Sequence, residues 1–271
     1  MDVPETPAPP ALALPVVTTR GLTRTFGDKV AVDALDLEVM PGEFFGFLGP
    51  NGAGKSTTIR MLCGLLRPSG GDARVLGLDP VADTLELRRR IGVLPEEPAL
   101  YDRLTAIEML GLVADLHGLE RQEGRRRAEA LLDLMELSRE ERGRILLDYS
   151  MGMRKKVALA AALLHGPRLL FLDEPFNGID AVTVRAIRGV LTDAVARGVT
   201  IFFSSHVLEL VERLCSRVAI ITAGRMQVCG TLPEVREQSG LGAAASLEDI
   251  FVHLAGSGRV NGAAGGLEFL K

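Results

Sequence analysis

Gly49-Pro50-Asn51-Gly52-Ala53-Gly54-Lys55-Ser56 is a complete G-x-x-x-x-G-K-S phosphate loop. Glycines at these spacings let the backbone wrap a phosphate chain, so that successive N–H groups and the start of the next helix point at it. Lys55 can reach the β and γ phosphates of a nucleotide, and the Ser56 hydroxyl can ligate Mg²⁺. The flanks are those the motif requires: Glu43 to Leu48 reads as a tight strand and Lys55 to Leu66 as a helix. An α/β nucleotide-binding domain is therefore the first expectation.

Further along, Leu169-Leu170-Phe171-Leu172-Asp173-Glu174 is an apolar strand ending in two adjacent carboxylates. A buried strand that delivers Asp173 to the edge of a phosphate loop provides a Mg²⁺ ligand, usually through water. Glu174 would then stand where a general base polarises the attacking water. Arg168 to Leu172, Thr200 to Ser204 and Val218 to Thr222 are short apolar runs of the kind found in sheets covered on both faces. Val30 to Val39 alternates apolar and polar residues, as a half-buried strand does. From Glu97 to Tyr149 only helical patterns occur. There Ala128, Leu131, Leu132 and Met135 repeat at i, i+3, i+4 and i+7, with arginines and glutamates opposite. An α/β core thus carries a helical insert.

Composition narrows the class. The 271 residues are 47% apolar, enough for a substantial core. Lys and Arg number 31 against 35 Asp and Glu, a net charge of −4, which argues against a nucleic-acid-coating protein. The longest apolar runs, such as Val157 to Leu164, fall well short of the roughly 18–20 residues of a membrane span. Cys63, Cys215 and Cys229 form no C-x-x-C pair and read as small buried hydrophobes in a reducing compartment. Met1 to Pro15 is proline-rich, lacks the features of a secretion signal and is expected to be a mobile tail; Gly256 to Gly266 is Gly/Ala-rich and expected to be flexible. The cytoplasm is the expected location.

Five short motifs in order make a specific pattern. Tyr149-Ser150-Met151-Gly152-Met153 precedes the helix Arg154 to Leu164 and lies about twenty residues before Asp173. Glu174-Pro175-Phe176-Asn177-Gly178-Ile179-Asp180 follows the strand, and Ser204-Ser205-His206 ends the next one. Together with the phosphate loop and Phe26, these segments closely resemble the ATPase subunit of ATP-binding-cassette transporters over about residues 16 to 254. The resemblance implies a phosphate-loop cassette with a RecA-like core, an antiparallel β subdomain and a helical insert at about 97–150. It divides the chain into a tail at 1–15, an ATPase domain at 16–240 and a short C-terminal helix and tail at 241–271, Ser246 to Leu254 resembling the closing helix of one branch.

The resemblance also implies roles. Gly49, Pro50, Asn51, Gly52, Ala53, Gly54, Lys55, Ser56 and Thr57 would bind ATP; Ser56, Glu96 and Asp173 would hold Mg²⁺. Lys55, Glu174 and His206 would act in hydrolysis, His206 as the switch histidine. Phe26 falls where an aromatic stacks on adenine, with a core position as the competing reading. Ser150, Gly152, Met153 and the aspartate Asp180 would serve a nucleotide shared between two ATPase subunits paired head to tail. A separate integral membrane permease, docked near Glu96 and the insert, would be the driven partner, leaving this chain peripheral at the inner face of the membrane.

Several positions depart from the family pattern. Ile91-Gly92-Val93-Leu94-Pro95-Glu96 supplies a glutamate where most cassettes carry glutamine. Met151 replaces the first signature glycine, Met153 its glutamine, and Ala181 the proline after Asp180. These changes resemble a branch of exporters and drug- or antibiotic-resistance pumps. Translation-type cassettes carry two copies in one chain and repair-type cassettes carry long coiled coils, and neither fits; intact Asp173, Glu174 and His206 argue against a non-hydrolysing subunit. His117 and His165 are expected to cap helix ends, and Arg88 to Arg90 and Arg125 to Arg127 to lie on solvated helix faces.

Overall fold

A computed structural model describes residues 14–242 and 245–256. The expectations for residues 1–13 and 257–266 lie outside the described residues. The chain enters through an antiparallel hairpin, β1 (Val17–Phe26) and β2 (Lys29–Val39), in which Phe26 faces Lys29. β3 (Phe44–Leu48) follows, all five residues buried. At its centre Gly46 leaves no room for a Cβ, which would lie 2.8 Å from Cys215 Sγ. After the phosphate loop comes α1 (Lys55–Leu62). The sequence pattern carries this helix to Leu66, but Gly64 takes a φ of 66°, and the Leu65 and Leu66 N–H groups turn back onto the Arg60 carbonyl. A left-handed glycine is the usual end of a helix, and here it overrides the apolar periodicity. β4 (Gly70–Val75) then completes a three-stranded sheet in the order β2-β1-β4.

α2 (Thr84–Arg90) leads into β5 (Ile91–Leu94), and the chain leaves the sheet for a helical region. This holds α3 (Ala106–Leu116), α4 (Arg121–Leu134), α5 (Arg139–Arg142) and one 3₁₀ turn. Thr105 opens α3 with a reciprocal capping box to Glu108, which satisfies two helix-end donors at once. In and just after α4, Ala128, Leu132 and Met135 are fully buried, while Arg125 and Arg126 pair with glutamates on the outer face. α6 (Met151–Leu163) starts three residues earlier than the expected Arg154, because the Ser150 hydroxyl accepts from Met153 N–H and caps it.

β6 (Leu169–Asp173), α7 (Ala181–Ala196), β7 (Thr200–Ser205), α8 (Leu208–Leu214), β8 (Arg217–Thr222), β9 (Arg225–Gly230), α9 (Leu232–Gln238) and α10 (Leu247–Gly256) close the described chain. The large sheet has the order β5-β6-β7-β3-β8-β9, with only β9 antiparallel to its neighbour. Its central strands are apolar on both faces, as a parallel sheet covered by helices and a second sheet demands. One core, holding Phe45, Phe47, Phe171 and Phe202, lies toward α1 and the hairpin; the other, holding Phe203, Leu172 and Val157, lies toward α6 and the helical region. The order places β6, β7 and β3 side by side, so their carboxyl ends deliver Asp173, Ser205 and Gly49 to one rim. Ligands of open α/β sheets bind at such a rim.

Candidate active site

The phosphate loop is held in shape by contacts that only glycine permits. A Cβ on Gly49 would lie 2.4 Å from the Ile221 carbonyl oxygen. Gly54 has a φ of 108°, and a Cβ there would meet the Ala31 oxygen at 2.4 Å. The hairpin and β8 therefore clamp the loop from both sides at the start of α1, a helix end whose N–H groups suit a phosphate. Lys55, only 6% exposed, folds back over this loop. Its Nζ donates to the Gly49 carbonyl at 2.7 Å and the Pro50 carbonyl at 3.3 Å, and lies 3.2 Å from Glu174 Oε1.

β6 and β7 place the acidic part of the site. Asp173 and Glu174 are both buried. Ser204 on β7 joins them: its Oγ donates to Asp173 Oδ1 at 2.6 Å and accepts from Glu174 N–H at 3.0 Å. Glu174 has a φ of 47°, a left-handed backbone that costs a side-chain-bearing residue about 1–2 kcal/mol. Such strain persists where several contacts fix the backbone, and these concentrate at functional sites. The carboxylate itself is held from two sides, by Lys55 at Oε1 and by His206 Nδ1 at 2.9 Å from Oε2. A carboxylate accepts only, so Nδ1 carries the proton.

Behind this group lies Lys155 of α6, 1% exposed. It donates to the Glu174 carbonyl at 2.9 Å and to the Asn177 carbonyl at 2.7 Å. Burial pushes its amine below the ordinary lysine value, while Glu96, Glu174 and Asp173 pull the other way. Asn177 Nδ2 donates in turn to Glu96 Oε1 at 3.3 Å, tying the end of β5 to the β6–α7 turn.

These residues border a cleft of about 460 Å³, lined by Asn51, Gly52, Gly54, Lys55, Ser56, Thr57, Glu96 and Glu174, and by Phe26, Lys29 and Ala31 from the hairpin. Phe26 is 47% exposed, which removes the reading of it as a core residue; the Arg24 guanidinium covers one face of its ring at 4.5 Å. Gly49, Pro50, Ala53, Asp173 and His206 do not line the cleft, although His206 bonds to Glu174 of the lining, and Gly49 and Pro50 to Lys55. Ser150, Gly152, Met153 and Asp180 do not line it. Ser150 caps α6, and Asp180 caps α7 through Val182 N–H and Thr183 N–H at 3.0 Å, while also accepting from Thr183 Oγ1 at 2.8 Å. Gly152 packs against that same Thr183, so the two caps adjoin.

The donor set suits a hard cation. Ser56, Asp173 and Glu96 offer oxygens alone, and among the described residues no cluster of three His, Cys, Asp or Glu forms a cage by itself. Mg²⁺ is bound in that manner, through one or two protein oxygens with substrate phosphates and water.

Sequence reasoning missed Lys29 of the cleft lining, and Lys155, Ser204 and Asn177, whose partners lie far along the chain. It also misassigned one histidine. His165 does not cap its own helix: its Nε2 lies 3.0 Å from the Ile91 carbonyl of β5, and its ring stacks on His117 at 3.9 Å. Burial, followed by the neighbouring His117, pushes His165 down to about 4. Cys63 is buried, Cys215 and Cys229 are partly so, and all three are free thiols, pushed up chiefly by burial. The arginine runs pair with neighbouring glutamates or helix-end carbonyls.

Residues 32–177, more than half of the chain, match the family model described as ABC transporter. An uncharacterized ABC transporter ATP-binding protein of Nostoc sp. (strain PCC 7120) is 42% identical over 76% of this chain and 61% of its own length. The daunorubicin/doxorubicin resistance ATP-binding protein DrrA of Streptomyces peucetius is 40% identical over 83% of this chain and 68% of its own length. A solved structure of an ATP binding subunit of an ABC transporter superposes with a TM-score of 0.82 at 33% identity, covering 88% of this chain and 99% of that one. The matched region thus spans less than two thirds of the Nostoc relative.

Proposed function

The chain belongs to the ABC transporter family, and from that membership we propose that it hydrolyses Mg-ATP and passes the resulting motion to a separate membrane permease. One observation carries the catalytic part: Lys55 of the phosphate loop, Glu174 at the end of β6 and His206 after β7 converge on one buried carboxylate at the cleft edge. Phosphoryl transfer needs positioning and charge stabilisation more than covalent chemistry from the protein. Loop N–H groups and the N-terminus of α1 orient the β and γ phosphates of ATP. Lys55 exchanges Glu174 for a phosphate oxygen when the nucleotide enters, which leaves Glu174 free to accept a proton from the attacking water. His206, on the other carboxylate oxygen, keeps Glu174 aimed into the cleft. Phe26 presents its uncovered ring face to adenine. Ser56, Asp173 and Glu96 would hold Mg²⁺, which would supply Lewis-acid stabilisation of charge on the phosphates.

Ser150, Gly152, Met153 and Asp180 do not line this chain's own cleft, which supports their serving the nucleotide of a second copy, head to tail. Among the described residues no helix is long and apolar enough to cross a membrane. Family membership supports a separate integral membrane permease as the driven partner, with this chain peripheral at the inner face of the membrane. Likeness to a resistance protein such as DrrA and the Glu96 and Met153 departures favour export as the direction.

Replacing Lys55 tests the site. Lys55→Ala removes a desolvated charge-assisted contact worth about 2–5 kcal/mol, so hydrolysis should fall at least about a hundredfold. Phosphate release from Mg-ATP measures this, with circular dichroism confirming that the variant folds. Near-normal hydrolysis by a folded variant would remove the phosphate loop from the reaction.

A further inference from the structure

Glu174 is an unusual place to rely on a directed carboxylate, because its backbone sits in the left-handed region with a φ of 47°. Side-chain direction follows from backbone direction, so whatever fixes this turn also aims the carboxylate. Ser204 holds its amide side, through Oγ at 3.0 Å from Glu174 N–H. On the carbonyl side Asn177 N–H reaches the Glu174 oxygen at 3.2 Å, and the stronger, charged donor is Lys155. One ammonium bridges the Glu174 and Asn177 carbonyls at 2.9 and 2.7 Å, closing the four-residue turn from below.

Lys155 is 1% exposed and belongs to α6, a helix packed against β5 and the helical region. Lys155 does not itself line the cleft, and both acceptors of its nitrogen are backbone carbonyls of the turn, none of the phosphate loop. Burying an ammonium is costly unless its donors are used, and a hydrocarbon side chain of similar length would fill the same space without that cost. Plain packing therefore does not account for a lysine here. The turn does: two carbonyls converge on one donor.

We propose that Lys155 is a positioning residue for hydrolysis, its ammonium locking the Glu174–Asn177 turn so that the Glu174 carboxylate stays aimed at the attacking water. This rests on the reading of Glu174 as proton acceptor. A shift of about 1 Å in a reacting group can cost on the order of a hundredfold in rate while leaving ground-state binding intact.

The test is a double-mutant cycle on the full chain, read by single-turnover hydrolysis of γ-labelled Mg-ATP and by ATP affinity. Lys155→Met should lower the hydrolysis rate about 10- to 100-fold with ATP affinity changed by less than about threefold. Lys155→Arg, which keeps charge and donors, should recover most of that loss. With Glu174→Gln already present, Lys155→Met should slow the residual rate by less than about twofold, since the group it aims is gone. Should Lys155→Met fail to fold, Lys155→Gln enters the same cycle with the same expectations. A loss that multiplies in the Glu174→Gln background, or one that appears only as weaker ATP binding, would overturn the proposal. The wild type and Glu174→Gln alone show separately whether Glu174 is the proton acceptor: equal rates there would remove that reading, whatever Lys155 does.

Discussion

Glu96 is where a single residue bears most directly on the chemistry. It lines the cleft, and its Oε1 accepts from Asn177 at 3.3 Å. A carboxylate binds a hard cation better than the neutral amide oxygen of glutamine does. The same charge repels a γ-phosphate: two unit charges about 4 Å apart interact by about 4 kcal/mol at an effective dielectric of 20. Mg²⁺ held by Glu96 would offset this repulsion. Glu96→Gln should therefore retain hydrolysis, require more Mg²⁺ for half-maximal rate and tolerate metal-free ATP better. Mg²⁺ titrations of ATP binding and hydrolysis check it, and superimposable curves would place Glu96 outside the metal shell. Glu96, Lys55, Glu174 and His206 were legible in the sequence because short motifs carry them. Lys155 and Ser204 were not, since each acts on a group some twenty to thirty residues away. The one local signal was the pair Lys155-Lys156 just before the apolar run that starts at Val157, in a helix whose surroundings are core.

At the scale of elements, α6 and β5 meet without a spare atom. A Cβ on Gly92 would lie 2.2 Å from the Ala162 carbonyl oxygen and 2.5 Å from Leu170 Cδ2. Gly92→Ala should force the helix off the strand and cost about 1–3 kcal/mol, measurable by denaturant unfolding. The same contact carries a pH dependence. His165 donates to Ile91 of β5 with its pKa lowered to about 4, against an ordinary value of 6.5. The unfolded chain binds the proton more readily, so this contribution is present above about pH 6.5 and is lost as pH falls towards about 4. His117, stacked on it and also lowered by burial, acts in the same direction, and the nearby Arg127 charge adds to the lowering at His165. His165→Gln keeps a donor for Ile91 and should flatten the slope of stability between those pH values; parallel slopes would contradict it. The strands of the large sheet were readable because burial on both faces leaves continuous apolar runs. The end of α1 was misread because periodicity does not register the left-handed Gly64, and the His117–His165 stack joins helices distant in sequence.

For the whole molecule, the sheet order decides what is possible, and that order is not written in any one segment. Alternating strands and helices announce an α/β fold, but only the assembled order brings β6, β7 and β3 together at one rim. It also leaves Ser150, Gly152 and Asp180 on a surface separate from the cleft of their own chain. A nucleotide site finished by a second copy is the reading that uses both surfaces, and ATP is then the adhesive between them. Glu174→Gln keeps the shape and hydrogen bonding of the carboxylate but removes its basicity, so ATP should bind and remain. The most direct measurement is the mass of the Glu174→Gln chain by light scattering during size-exclusion chromatography, with saturating Mg-ATP and with Mg-ADP. A dimer with Mg-ATP that reverts to monomer with Mg-ADP is the predicted result; a variant that binds ATP yet stays monomeric at saturation would contradict the shared site.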